Sequence, residues 1–199
     1  MIGSLPQSLE ICGRKYSIRA DFRTILRIIE AFQDESLQDD EKIYLCLKNL
    51  YRDFETIPPG DYADAYKAAV AFIDFGIHED RPGPRVMDWD HDEHLIFPAV
   101  NKAAGFEVRS AKFLHWWTFM GYFQSIDRED TFGYVLMIRQ KKARHKKLEK
   151  WEQDFYSANR NLCSLKPSQR TRAAAEDKMR RMFEEMLAER GEDNGGSGE

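Results

Sequence analysis

FLHWWTFMGYF, residues 113–123, is the stretch of sequence that decides the fold. Seven of its eleven residues are Phe, Trp, Tyr or His, whereas Phe, Trp and Tyr together make up only 13% of the chain. Aromatic side chains bury large areas, so this density indicates a packed core element, a partner-binding face, or both. Histidine, at position 115, is the only residue type in the run that commonly acts as an acid or base in enzyme chemistry, and the run therefore gives little indication of catalysis.

Helical periodicity extends on both sides of this run. Apolar residues recur every three or four positions in several segments, as they do in amphipathic helices. Those segments are residues 20–33, 39–54, 61–76 and 132–159. Asp21 is the expected cap of the first helix, Gly105 the expected end of a helix that begins near Asp88, and Ser110 the expected cap of the aromatic helix.

The N-terminal segment has a different period. LEICGRKYSI, residues 9–18, alternates apolar and polar residues on either side of a Gly-Arg pair, which predicts a β-hairpin. Two strands alone are marginal in water, so we expect this hairpin to dock onto helices or to join the sheet of another chain.

The C-terminal segment carries a narrow stripe of methionines. Met179, Met182, Phe183 and Met186 recur at helical spacing, and residues 191–199 have the composition of a disordered tail. The sequence therefore predicts a mostly α-helical protein: one domain over residues 1–165 with its hairpin at 9–18, and an extended C-terminal amphipathic helix over residues 166–190.

Composition narrows the class of protein. The chain has 199 residues, 42% of them hydrophobic and 32% charged, and a formal net charge of −4. It has no run of roughly 20 apolar residues and no basic, apolar signal pattern at its start, so we expect a cytoplasmic protein without a membrane partner. The negative charge argues against nucleic acid as the main partner. Three widely spaced cysteines form no CxxC pair, which argues against a disulfide framework and a thiolate zinc site.

The sharpest chemical cluster is DWDHDEH, residues 88–94. Four carboxylates at the start of a helix complement the positive end of its dipole, with Trp89 as a packing anchor, and we favour this structural interpretation. The alternative is a metal-dependent hydrolase that binds Zn, Mn or Fe through Asp88, Asp90, His91 and His94. The spacing differs from HExxH.

The remaining motifs favour structure over catalysis. His115, beside two tryptophans, is more typical of a core or interface residue than of a general base. Residues 139–147 are strongly basic. We interpret them as a solvated helix face that leads into a buried Trp151, or as a contact for an acidic protein surface such as residues 88–93 of this chain. Phosphate binding is the alternative. No nucleophile elbow or phosphate-binding glycine loop is present, so we predict no catalytic, cofactor-binding or metal-binding residues and no cofactor.

These features together resemble a known family. The hairpin that runs into IRADFR, residues 18–23, the DWDHD of residues 88–92, the LHWWTF of residues 114–119 and the Ile138-Arg139 pair are similar to the bacteriophage "gene product fifteen" family. Its members are encoded among the tail genes of long-tailed phages and prophages of Gram-positive bacteria. The resemblance covers residues 5–161.

The resemblance implies a helical non-enzyme of tail morphogenesis. It would be a tail assembly chaperone that binds the tape-measure protein and helps recruit major tail protein in the host bacterial cytoplasm; a structural tail or connector component is the alternative. A homo-oligomer is compatible with the sequence. Candidate partner-binding residues are Trp116, Trp117, Met179, Met182, Phe183 and Met186.

Overall fold

A computed structural model describes residues 3–75, 84–165 and 179–181. The chain divides into two compact units, Met1–Gln33 with Leu37–Leu165, and Asp34–Ser36 with Lys166–Glu199. The described residues are mostly helical with a short N-terminal hairpin, which confirms the predicted mostly-α fold class. The helices are α1 (Phe22–Gln33), α2 (Asp39–Leu50), α3 (Tyr62–Ile73), α4 (Glu93–Ala104), α5 (Trp116–Gln124), α6 (Thr131–Ala143), α7 (Lys150–Ala158) and α8 (Arg160–Cys163), with 3-10 turns at Phe54–Thr56, Pro59–Asp61 and Val108–Ser110.

The predicted hairpin is present and packs on helices. Strand β1 (Ser8–Ile11) pairs antiparallel with β2 (Arg14–Ser17). Cys12 and Gly13 form the turn, with φ angles of 47° and 78°. Two-residue turns with positive φ at both positions match the twist of paired strands, and glycine adopts this conformation without strain. Tyr16 turns inward and is buried in the same core as the helices.

The aromatic run forms the centre of this core. Phe22 of α1 stacks on Phe119 of α5 with ring centroids 4.6 Å apart. Trp116 also stacks on Phe119, with ring centroids 5.8 Å apart. The Trp116 side chain is only 1% exposed. Its indole Nε1 donates a 2.8 Å hydrogen bond to the carbonyl oxygen of Ile73, so the one polar atom of the side chain is satisfied.

Asp21 joins the starts of α1 and α5. Its Oδ1 accepts a 3.0 Å bond from the backbone N–H of Arg23, which confirms the predicted cap. Its Oδ2 accepts a 3.1 Å bond from the N–H of Leu114, just before α5. One carboxylate therefore joins the start of α1 to Leu114, which lies 93 positions away in sequence just before α5.

The cap predicted for α5 is wrong. Ser110 lies in a 3-10 turn and donates to the carbonyl oxygen of Glu107 at 2.7 Å. The cap is His115, whose Nδ1 accepts a 3.1 Å bond from the N–H of Trp117. The predicted end of α4 is confirmed, because Gly105 adopts the left-handed conformation with φ of 77°.

Two predicted helix lengths are also wrong. The helix expected over residues 39–54 ends at Leu50, because Tyr51 is extended and forms an antiparallel bridge with Ile18. The helix expected over residues 132–159 is two helices. His145 between them has φ of +53°, and α7 begins with a capping box formed by Glu149 and Glu152.

The second unit contains few described residues. Asp34 Oδ1 accepts bonds from the N–H and hydroxyl of Ser36 at 2.8 and 2.6 Å. Residues 179–181 are helical, within the predicted C-terminal helix. The rest of that prediction, residues 166–178 and 182–190, and the predicted tail at 191–199 lie outside the described residues.

We predict that alanine substitutions at two helical glycines change the free energy of unfolding in opposite directions. A Cβ at Gly133 of α6 would lie 2.5 Å from the carbonyl oxygen of Arg128 and 2.8 Å from that of Asp127, whereas a Cβ at Gly121 of α5 would meet nothing within 4 Å. We expect Gly133→Ala to lower the free energy of unfolding by about 1–3 kcal/mol, because backbone atoms cannot rotate away. Gly121→Ala should raise it by about 0.5–1 kcal/mol through helix propensity. Urea unfolding of both variants checks this, and an equal change in the two would contradict the close approach.

Candidate functional site

The acid-rich segment contributes one buried ion pair, whereas its Asp90, Glu93 and His94 stay exposed. Asp92 is fully buried, and its carboxylate accepts two bonds from the guanidinium of Arg139, at 2.7 and 2.9 Å. Asp92 also accepts a 3.0 Å bond from the N–H of Asp88. Arg139 donates further bonds to the carbonyl oxygens of Val86, at 3.1 Å, and of Leu162. The pair therefore fastens the turn before α4 to α6 and α8.

This arrangement corrects one interpretation and supports another. Arg139 was expected on a basic surface, yet it is only 5% exposed. A buried guanidinium requires a carboxylate partner, and the acidic segment supplies it. This agrees with the second interpretation of the basic segment, in which it contacts residues 88–93. The guanidinium Nε is buried without a hydrogen-bond partner among the described residues.

Two other members of the acidic segment, Asp88 and His91, are also held by hydrogen bonds. The N–H of His91 donates to Asp88 Oδ1 at 2.8 Å, and His91 Nε2 lies 3.1 Å from the carbonyl oxygen of Ser164. Burial opposes the charge on Asp88, but the bond from His91 and the adjacent Arg85 outweigh it and lower the pKa of this carboxyl. His94 is exposed.

A metal centre is not assembled here. Within residues 3–75, 84–165 and 179–181, no three His, Cys, Asp or Glu side chains converge as a set that could hold a metal ion. The alternative of a hydrolase that uses Asp88, Asp90, His91 and His94 therefore gains no support from this part of the chain.

His115 is likewise fully engaged by structure. The side chain is 2% exposed, and its Nε2 lies 2.9 Å from the carbonyl oxygen of Pro6 while Nδ1 caps α5. Both ring nitrogens thus contact backbone atoms, and the imidazole joins the N-terminal segment to the aromatic helix.

The candidate partner-binding residues differ in exposure. Trp116 is buried, so its side chain is not accessible to a partner and we remove it from the set. Trp117 is half-buried, stacks on Phe72 with centroids 5.9 Å apart, and donates from Nε1 to the carbonyl oxygen of Phe72 at 3.0 Å. Met179 is 66% exposed. The remaining members lie outside the described residues: Met182, Phe183 and Met186.

An apolar groove that the sequence did not predict lies along α1. Its volume is ≈ 410 Å³, and Leu26 together with the rings of Phe22, Trp89 and Phe97 forms its apolar lining. The other lining residues are Arg23, Arg27, Glu30, Gln33, Asp90, Glu93 and Arg109. The apolar stripe of α1 is wider than the part of it that packs in the core, since Leu26 is only partly buried. This extra width is the sequence signal for the groove.

Guanidinium groups cover two rings of the groove. Arg23 lies over the ring of Phe22 at 4.6 Å from its centroid, and Arg109 lies over the ring of Phe97 at 4.7 Å. Hydrogen bonds from Arg109 hold the pKa of Glu107 down at about 2. Arg109 is therefore bound by a charged partner, and the groove has charged walls around an apolar floor.

The basic segment also departs from prediction. Trp151, expected to be buried, is 46% exposed and touches Tyr134 edge-to-face at 5.6 Å. Arg144, Lys146 and Lys147 lie in the exposed loop between α6 and α7. The break at His145 rotates α7 out of the predicted stripe, which is why Trp151 leaves the core.

No helix in the described part of the chain is long and apolar enough to cross a membrane.

Comparison with protein families identifies the chain. The family model described as Bacteriophage Gp15 protein matches residues 1–165, which confirms the resemblance seen in the sequence. This is a family of structural phage proteins and not a known enzyme family. Comparisons with curated proteins and with solved structures give no match. The chain belongs to the bacteriophage Gp15 protein family, and it is a phage structural or morphogenesis protein.

Proposed function

We propose that this chain is a tail assembly chaperone that binds the tape-measure protein and helps recruit the major tail protein in the host cytoplasm. The apolar groove along α1 is the observation that carries the proposal. An amphipathic helix buries its apolar face in such a groove, and its flanking polar residues reach the charged rim. A long helical client offers many such segments, so repeated weak contacts coat it tightly and still release it.

The groove suits a helical client because its two walls carry both signs of charge. Arg27 and Glu30 lie exposed on α1, and Asp90 and Glu93 lie exposed on the opposite side. Mixed charges at a rim set register and exclude wrong partners more than they add affinity. The apolar floor around Leu26 supplies the affinity.

Co-expression with the tape-measure protein tests the proposal. We expect the wild-type chain to raise the soluble fraction of the tape-measure protein and to co-purify with it. Leu26→Asp places a charge on the groove floor and should reduce the co-purified amount at least about tenfold, since roughly 1.4 kcal/mol of lost binding has that effect. Leu5→Asp is the matched control, because Leu5 is 45% exposed and does not line the groove.

Two results would overturn the proposal. Equal recovery of the tape-measure protein with the Leu26 and Leu5 variants, both verified as folded by circular dichroism, would mean that the groove does not bind this client. Stoichiometric presence of the chain in purified phage particles, measured by mass spectrometry, would indicate a structural tail component instead of a chaperone that leaves.

A further inference from the structure

The loop between α6 and α7 and the first residue of α7 carry positive charge that no described residue neutralises. Arg144, Lys146, Lys147 and Lys150 are exposed, and no carboxylate of the described residues forms an ion pair with them. Lys141, by contrast, pairs with the buried Glu152. The four free cations and the adjacent Trp151 are here called the basic face.

The basic face has the features of a protein-binding surface. An open groove of ≈ 490 Å³ runs through it, lined by Lys147, Leu148, Glu149, Lys150 and Gln153. Trp151 is 46% exposed beside this groove, and its Nε1 is held by Glu149 at 2.9 Å. A fixed, half-exposed tryptophan within a ring of charges is typical of an interface hot spot.

The same chain carries the complement of this surface at the start of α2. Asp39, Asp40 and Glu41 are exposed there, and Tyr44, one turn later, is 47% exposed. A groove of ≈ 360 Å³ runs through these residues and is lined by Leu37, Asp40, Glu41, Tyr44 and Leu45. We call this the acidic face. It repeats the pattern of the basic face with the opposite charge: an exposed aromatic ring, a leucine and exposed carboxylates around an open groove.

We propose that the basic face of one copy binds the acidic face of a second copy. Charge complementarity selects this occupant, because each copy brings both halves of the contact at equal concentration. Nucleic acid fits the whole molecule less well, since the chain has a formal net charge of −4 and its acidic face repels phosphates. The two faces are different surfaces, so the contact is heterologous, and repetition of it builds a ring or an open chain of copies. This inference is independent of the tape-measure proposal.

Charge reversal in the full chain tests the proposal. Sedimentation velocity of the wild type at about 0.05 M salt should show concentration-dependent self-association. The association should weaken at about 1 M salt, where the Debye length is roughly 3 Å. Lys147→Glu with Lys150→Glu, and separately Asp39→Lys with Asp40→Lys, should each weaken association at least about tenfold. A mixture of these two variants should associate again, because each retains the wild-type face that the other one needs.

The controls separate this contact from general charge effects. Arg14→Glu with Lys112→Glu reverses two exposed cations outside both faces and should leave association unchanged. Tyr44→Ala, which leaves every charge in place, should weaken association as well. A monomeric wild type at low salt, a mixture that stays dissociated, or loss of association in the control would overturn the proposal. So would a low-salt titration in which single-stranded DNA binds the basic face while the chain stays monomeric.

Discussion

Arg139→Met is expected to lower the free energy of unfolding by about 3–5 kcal/mol, because it leaves the fully buried carboxylate of Asp92 without a counter-charge. The bonds from Arg139 to the carbonyl oxygens of Val86 and Leu162 are lost as well. Arg144→Met removes the same side chain from an exposed loop and should change stability by less than about 0.5 kcal/mol. Urea unfolding followed by circular dichroism measures both.

A double-mutant cycle separates the ion pair from the general loss of packing. Asp92→Leu alone leaves a buried guanidinium unpaired and should be as harmful as Arg139→Met. The double variant removes both charges, so its loss should be smaller than the sum of the two single losses by at least about 1–2 kcal/mol. Strictly additive losses would mean that the two side chains do not stabilise each other.

Trp116→Ala is expected to lower the free energy of unfolding by about 3–5 kcal/mol, because it opens a cavity in the centre of the aromatic core. The side chain is 1% exposed and stacks on Phe119. Trp151→Ala is the matched control, since this tryptophan is 46% exposed, and it should reduce stability by less than about 1 kcal/mol. Equal losses at the two positions would contradict the assigned burial.

Trp116→Phe isolates the hydrogen bond from the packing. Phenylalanine keeps most of the ring contact but has no N–H for the carbonyl oxygen of Ile73. We expect a loss of about 1–3 kcal/mol, intermediate between the wild type and the alanine variant, because a buried acceptor is left unsatisfied. Thermal unfolding at one pH gives the order of the three proteins.

Local periodicity was enough to predict the class of the fold. The hairpin, the helix predicted over residues 20–33 and the helix end at Gly105 depend on neighbouring residues, and the structure contains all three, the helix over Phe22–Gln33. Boundaries set by distant partners were not predictable in this way. Tyr51 leaves its helix to bridge Ile18, and its hydroxyl donates to the carbonyl oxygen of Ala65 at 2.8 Å.

The candidate site shows the same division. The residue types of the acidic segment indicated a role for charge. Arg139 follows Asp92 by 47 positions in sequence, and only the fold brings the two side chains together as a buried ion pair. The wide apolar stripe of α1 signalled one side of the apolar groove, but the groove itself could not be predicted, because its floor is assembled from α1, the turn at Trp89 and α4. One local signal was overlooked: Glu149 and Glu152 form a capping box, and this pair marks the helix start that exposes Trp151.

The bonds to α8 define how far the chain can be shortened from its C-terminal side. Arg139 uses the carbonyl oxygen of Leu162, and His91 lies against that of Ser164, so both acceptors come from the last residues of the family match. A chain cut at Ala158 would retain α7 yet open the guanidinium of Arg139 to water. A chain cut after Leu165 would keep both of these acceptors. The C-terminal limit of the first unit is therefore set by two backbone carbonyl groups together with Cys163, which is buried against Val135 and Ile138.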